Sequence, residues 1–303
     1  SSSMKISIEE IKRKKSIQEL LEFSILNIDK PSGPTSFDVS DFVRKKLKEI
    51  GVRKTSHFGT LDPKVTGVLP IALSRACKLT GFFLGENKTY VGIMRLHEEI
   101  DIEKLKKAIN DKFIGKIKQT PPVKSRVKRQ EREREIKRFE IIEQDENGKD
   151  FVFIAEVQGG TYIRKLIDDL GKEIGIGAHM LELRRIRAGI FSENDVSFVN
   201  LYDFEKAVDL YVKEKNEELL RKILIPAEII AEIYPVVEVK ESEIKKLLTG
   251  KPVYNNDLKK NVYDIERGKL VCIFDDNQFI GIYKIINGGE ILAKPEFVMQ
   301  PIT

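Results

Sequence analysis

Cysteine is nearly absent from this chain. Only Cys77 and Cys272 occur in 303 residues, with no Cys-x-x-Cys pair, and histidine stops at His57, His97 and His179. A zinc or iron–sulfur centre needs clustered thiolate and imidazole ligands, so no metal or redox cofactor is expected. So few thiols fit a reducing cytoplasm. Cys77 ends the run Ile71-Ala72-Leu73-Ser74-Arg75-Ala76-Cys77, which reads as a packed helix and favours a buried structural thiol over a nucleophile. Long apolar runs are missing too. The longest stretch without a formal charge is residues 65–74, far short of the ~20 residues that span a bilayer. The opening Ser1-Ser2-Ser3-Met4 leads into charge, so no secretory leader is expected.

Charge, by contrast, is plentiful. Lys, Arg, Asp and Glu make up 33% of the chain, against about 25% in an ordinary globular protein. With 41% hydrophobic residues the chain can bury a large core, and its length suggests two domains. The net charge of +5 is concentrated: residues 119–138 hold eight Lys or Arg against three Glu. Glu and Arg alternate there as on a solvated face. Pro121-Pro122 and the lack of an apolar stripe favour an extended basic loop suited to phosphates.

Residues 5–22 read as an amphipathic extension and 23–28 as a buried strand, followed by the turn Asp29-Lys30-Pro31-Ser32-Gly33-Pro34. Thr35 with Asp38 makes a capping box, opening a helix that Gly51 stops. A second apolar helix is expected over 71–79. Strands are expected at 89–94, 139–142, 151–157 and 180–191, with helices near 101–110, 162–174 and 211–222. From Tyr234 onward, strand-like runs at 236–239, 269–274, 279–285 and 296–299 surround a short helix at 241–248, which suggests a small β-rich module.

The chemistry is concentrated in residues 57–70, His-Phe-Gly-Thr-Leu-Asp-Pro-Lys-Val-Thr-Gly-Val-Leu-Pro. Asp62-Pro63 as a dipeptide reads as a helix cap with proline at the first helical position. Two glycines and two prolines nevertheless fix a specific loop path, and Leu61, Val65, Val68 and Leu69 pin it to a core. A rigid loop presenting one carboxylate also suits a nucleophile.

This segment resembles the catalytic signature of the pseudouridine synthase family that includes the bacterial enzyme acting on the tRNA T-loop. It is closer still to dyskerin and its archaeal relatives, the catalytic subunits of box H/ACA ribonucleoproteins. The family's remaining motifs follow in order: Asp29-Lys30-Pro31-Ser32-Gly33-Pro34, Lys88-Thr89-Tyr90, Gly160-Thr161-Tyr162-Ile163-Arg164 and Leu183-Arg184-Arg185. Beyond them, Leu224-Ile225-Pro226 and residues 237–252 resemble the opening of a C-terminal PUA domain. Gln119-Thr120-Pro121-Pro122 resembles the start of a thumb loop. Phe58, Arg126 and Asn255-Asn256-Asp257-Leu258 depart from the family's pattern.

The resemblance implies an α+β fold: a mixed-sheet catalytic domain over 23–225, a β-barrel-like PUA domain over 226–303, and residues 1–22 packing with the latter. It implies isomerisation of uridine to pseudouridine without a cofactor, with Asp62 as nucleophile in a water-poor pocket where burial would raise its pKa unless a buried Arg164 offsets this. Tyr90 would stack on the base and Leu183 would line the pocket. His57 would assist flipping or hold RNA, or equally be a hydrogen-bonded structural histidine, and Lys30, among the substrate-binding residues, would be structural or phosphate-facing. Thumb residues Lys124, Arg126, Lys128 and Arg129 would grip RNA. Implied partners are an H/ACA guide RNA with its target rRNA or tRNA, a small zinc-ribbon protein, a small β-barrel protein at the thumb loop and, indirectly, a kink-turn-binding ribosomal-type protein. A non-catalytic RNA scaffold of the same fold is the competing reading. It fits less well because Asp62, Tyr90 and Arg164 are all present.

Overall fold

A computed structural model describes residues 6–121, 130–262 and 264–300. Two short helices, α1 (Ile8–Lys14) and α2 (Ile17–Glu22), lead into β1 (Phe23–Lys30), α3 (Ser36–Leu47), β2 (Thr55–His57) and β3 (Thr66–Ser74). Then come α4 (Thr80–Phe83), β4 (Lys88–Leu96), α5 (Ile102–Lys112), β5 (Gly115–Gln119), β6 (Arg132–Gln144), β7 (Asp150–Val157) and α6 (Ile163–Ile174). The larger part ends with β8 (Ala178–Ala188), β9 (Phe191–Ser192), β10 (Val199–Asn200), α7 (Leu201–Glu214), α8 (Glu218–Ile223) and β11 (Leu224–Pro226). The rest contributes β12 (Val236–Glu238), α9 (Ile244–Leu247), β13 (Val253–Tyr254), β14 (Leu270–Asp275), β15 (Gln278–Gly288) and β16 (Ile291–Val298).

Most of the strands before residue 227 join one large mixed sheet in the order β10-β1-β3-β8-β4-β7-β6-β5, with β11, β2 and β9 attached at its side. The later strands form a second sheet, β12-β14-β15-β16-β13. This is the expected α+β architecture with a smaller β-rich unit.

Three expectations need correction. Residues 71–74 belong to β3 instead of starting a helix, and only a 3-10 turn, Arg75–Leu79, follows. The reason is burial on both faces. Leu69, Ile71 and Leu73 enter the core beneath α3, α6 and α7, whereas Val68 and Ala72 enter a second core shared with β14 and β15. A strand buried on both sides reads as one apolar run with no visible period of two. The second correction concerns the basic stretch. Residues 132–138 lie in β6, and Glu133 and Glu131 face Lys116 and Lys118 of β5 at 3.8 and 3.9 Å. Its alternating charges are thus one strand of an exposed hairpin. Residues 122–129 lie outside the described residues, and Lys124, Arg126, Lys128 and Arg129 with them.

The third is the helix expected over 211–222: α7 runs Leu201–Glu214 and stops at Lys215, whose φ of 57° is left-handed, and α8 restarts at Glu218. Other local signals agree with the structure. The Thr35 hydroxyl accepts from the Asp38 N–H at 2.9 Å and the Asp38 carboxylate accepts from the Thr35 N–H at 3.1 Å. Gly51 ends this segment at φ 99°, a left-handed conformation that favours glycine. Cys77 and Cys272 are buried, and burial pushes their thiols up to about 11 and about 12, so neither is a thiolate at neutral pH.

The N-terminal helices link both halves. The Arg221 guanidinium donates to the carbonyls of Lys12 and Lys15 at 2.7 Å each, Lys15 pairs with Glu228, and Asn277 donates to Glu10 at 3.4 Å. The second core is fully shared between the sheets. Phe23, Ile25, Phe58, Val68 and Phe191 pack in it with Cys272, Phe274, Phe279 and Ile282, and Phe23 stacks on Phe279 at 5.9 Å.

Candidate active site

Three elements converge on the loop between β2 and β3. Lys30 ends β1 completely buried, and its ammonium donates to the carbonyls of Pro31, Pro63 and Val65 at 2.8, 2.9 and 2.9 Å. Ser36, the first residue of α3, donates to the Leu61 carbonyl at 2.7 Å and accepts from the Leu61 N–H at 2.8 Å. The Gly33 N–H donates to the Pro63 carbonyl at 2.9 Å. Backbone groups on both sides of Asp62 are therefore held by β1 and α3. A turn closed by Val65 N–H to Asp62 C=O, 3.0 Å, lifts the carboxylate to the surface.

Arg164, second residue of α6, meets that carboxylate: Nε lies 3.8 Å from Oδ2. Neither side chain is buried. Asp62 is 70% exposed and Arg164 51% exposed, so the expected water-poor pocket and buried arginine are not present in the free chain. The turn places Asp62 outside the sheet, where water solvates its charge, and the pair is too long for a hydrogen bond. The start of α6 is fixed nonetheless. Buried Gln119 donates to the Tyr162 carbonyl at 3.0 Å and accepts from the Tyr162 N–H at 2.9 Å.

The fully buried arginine of this site is Arg185, 1% exposed, which sequence reasoning did not single out. Its Nε and Nη2 donate to the Val68 carbonyl at 2.9 and 2.7 Å, and Nη2 also donates to the Gly59 carbonyl at 2.5 Å. Arg185 thus ties together the two ends of the Asp62 loop, and across the β4–β8 ladder it is the register partner of Tyr90. Gly59 and Gly67 are required here. Each has positive φ, 72° and 109°, and a Cβ on Gly67 would lie 2.1 Å from the Arg185 carbonyl oxygen.

Lys88, on the same strand face as Tyr90, donates to the Glu86 carbonyl at 2.6 Å. Burial, reinforced by the Arg185 charge, pushes its ammonium down to about 8. His57 bonds Thr60 at 3.2 Å, and burial and then Arg185 push its imidazole below its usual value, which keeps it neutral at pH 7. Tyr90 and Leu183 are buried in the core that also holds Leu61 and Val65, forming the wall behind the loop. Of the two readings of Lys30, the substrate- or phosphate-facing one is corrected and the structural one holds. Lys30 has no exposed surface, and its three donors shape the loop from below. The signal for Arg185 was present in Leu183-Arg184-Arg185. There Arg184 is the more open one, paired with Asp29 at 3.0 Å and Glu193 at 3.1 Å.

Among the described residues one acidic group could suit a cation: Glu238, Asp275 and Asp276. The Lys259 ammonium already sits there, 3.0, 2.5 and 3.7 Å from the three carboxylates. No helix among the described residues is long and apolar enough to cross a membrane.

With this geometry in hand, the chain compares closely with known proteins. Residues 44–163 match the model of the TruB family pseudouridylate synthase N-terminal domain, and residues 164–232 match the tRNA pseudouridylate synthase B C-terminal domain. A probable tRNA pseudouridine synthase B of Nanoarchaeum equitans is 42% identical over 257 residues, covering 85% of this chain and 71% of that one. The chain belongs to the TruB family of pseudouridine synthases. A second TruB-family relative, the probable tRNA pseudouridine synthase B of Methanothermobacter thermautotrophicus, is 40% identical over 297 residues, 95% of this chain and 89% of that one.

Among solved structures, the TruB-family chain superposes on a Cbf5-Nop10-Gar1 complex with a TM-score of 0.88 at 34% identity, covering 95% and 89% of the two chains. An H/ACA RNP bound to a substrate RNA containing 2'-deoxyuridine gives 0.86 at 33%, covering 96% and 89%. The TruB-family chain is therefore an RNA uridine isomerase of the TruB/Cbf5 type, as its motifs suggested.

Proposed function

We propose that this isomerase acts at guide-selected uridines in RNA, with Asp62 as the group that acts on the target nucleotide and Arg164 as its charge partner. The observation that carries the reading is the bracing of the Asp62 loop by Lys30, Ser36 and Arg185 while the carboxylate itself stays open to solvent. A preorganised carboxylate free to receive a ligand suits covalent or base catalysis.

In the reaction the N1–C1′ bond breaks, the base turns, C5 bonds to C1′ and loses its proton, and N1 takes up a proton. Atoms and charge balance without a redox partner. Bound RNA would cover Asp62 and supply the missing water exclusion, and Arg164 closing from 3.8 Å would hold the carboxylate ionised once it is dry. Tyr90, anchored by Arg185, would stack on the uracil, with Leu183 as pocket wall and His57 beside the entry. Lys124, Arg126, Lys128 and Arg129 would grip phosphates.

In this reading residues 23–225 form the catalytic domain, residues 226–303 a PUA domain that binds guide RNA, and residues 1–22 an extension packed against it. Similarity to a Cbf5-Nop10-Gar1 complex and to an H/ACA RNP supports a guide particle with small partner proteins, here a zinc-ribbon protein and a thumb-loop β-barrel protein, which a kink-turn-binding protein would join indirectly. The names of the curated relatives support a second target, tRNA. Tritium release from RNA labelled at uridine C5, with and without guide RNA and partner proteins, tests both. Release only from a guide-paired target supports the particle, release from tRNA alone supports stand-alone action, and none from either overturns the reading.

A further inference from the structure

Two aromatic side chains stand open to solvent at the starts of α3 and α7: Phe37, 68% exposed, and Tyr202, 78% exposed. They occupy equivalent places. β1 and β10 are parallel neighbours, with Asp29 paired to Asn200, and each strand feeds a helix whose second residue is the aromatic. Both helix starts are fixed by caps, Thr35 accepting from Asp38 N–H at 2.9 Å and Asn200 accepting from Asp203 N–H at 2.8 Å. The helices run side by side, joined by Lys46 and Asp209 at 2.6 Å. The link to the site is covalent and short. Phe37 follows Ser36, which grips Leu61 next to Asp62, and the exposed turn 31–33 bonds the backbone of Pro63.

We propose that Phe37 and Tyr202 form a stacking platform for unpaired nucleotides next to the target uridine. The inference rests on the RNA-isomerase reading above and names how the same site holds its substrate. An exposed aromatic face at a rigid helix start is poorly satisfied by water, and every base offers a π-face to cover it without sequence preference. Phe37 directly follows the residue that grips the backbone beside Asp62, so a strand that delivers its uridine there would pass the platform. Loss of one such stacked base weakens binding roughly tenfold.

The test uses a target oligonucleotide with 2-aminopurine beside its uridine, annealed to an H/ACA guide and bound to the full chain with its partner proteins. Stacking quenches the fluorophore. Phe37→Ala and Tyr202→Ala should each relieve quenching and weaken target binding roughly tenfold, and Phe37→Trp and Tyr202→Phe should restore both. Quenching and affinity unchanged in both alanine variants overturn the platform, as does failure of the aromatic replacements to rescue. Tritium release by the wild type together with unaltered variants sinks the platform alone. Quenched binding that depends on Phe37, without any tritium release, upholds the platform and sinks the catalytic reading.

Discussion

The ammonium of Lys30 donates to the carbonyl of Val65 at 2.9 Å, from a position wholly shielded from water. With its bonds to Pro31 and Pro63, all three of its donors are spent on backbone around Asp62. Burial pushes the lysine below its usual range, and the Asp62 charge pulls it back up.

Lys30→Met should therefore damage stability and activity together. It takes the ammonium from three carbonyls, of which Pro63 keeps the Gly33 N–H, at roughly 1–3 kcal/mol for each one left unpaired that water does not reach. We expect a loss of about 3 kcal/mol by denaturant titration, and tritium release reduced even where the variant is fully folded. A stability change within ~0.5 kcal/mol would mean that the loop does not depend on this brace.

Asp62→Asn should do the opposite, leaving stability within ~0.5 kcal/mol of wild type because the side chain is exposed, while activity vanishes with the anionic oxygen. Arg164→Met should be nearly as damaging to turnover and equally mild for folding. Retention of a tenth of wild-type tritium release by Asp62→Asn would rule it out as the reacting group.

Lys88 gives a pH signature. Its folded pKa of about 8 lies below the ordinary lysine value of 10.5, so between these values the unfolded chain binds the extra proton. Stability tied to Lys88 should accordingly rise as pH climbs from 8 towards 10.5. Below pH 8 the full cost of the buried charge is present. Urea titrations at pH 7 and 9.5 should find the wild type gaining on Lys88→Met at the higher pH. An equal gap at both values contradicts a buried, easily deprotonated lysine.

Truncation tests the shared core. Removing residues 234–303 strips Phe274, Phe279 and Ile282 from Phe23, Ile25 and Val68. The remaining chain should bind a hydrophobic dye and aggregate. A monomeric, dye-silent fragment would show that the large sheet closes its face without the second.

Much of this was legible in the residues. Thr35 with Asp38, and the stripe Ile163, Leu166, Ile167 and Leu170, are local codes that the structure follows, and the motif order brought Asp62 and Arg164 together. What escaped was set by tertiary placement. Strand β3 serves two cores at once, so its periodicity disappears. The alternating charges of residues 131–135 spell an exposed hairpin strand as readily as a loop. Arg184 and Arg185 are identical on paper, and only the fold decides that one pairs with Asp29 while the other sits dry against Gly59 and Val68.

Phe58 lies four residues before Asp62 and packs on Phe83 and Phe191, ring centres 5.0 and 5.8 Å away, in the same cluster that receives Cys272 and Phe274. The reacting loop and the C-terminal sheet are thereby bolted to one aromatic block, with no hinge between them. If the far sheet grips RNA as proposed, that RNA would meet Asp62 at a set distance, like work held between the jaws of a caliper. Which uridine is modified then becomes a matter of length along the RNA as well as of pairing.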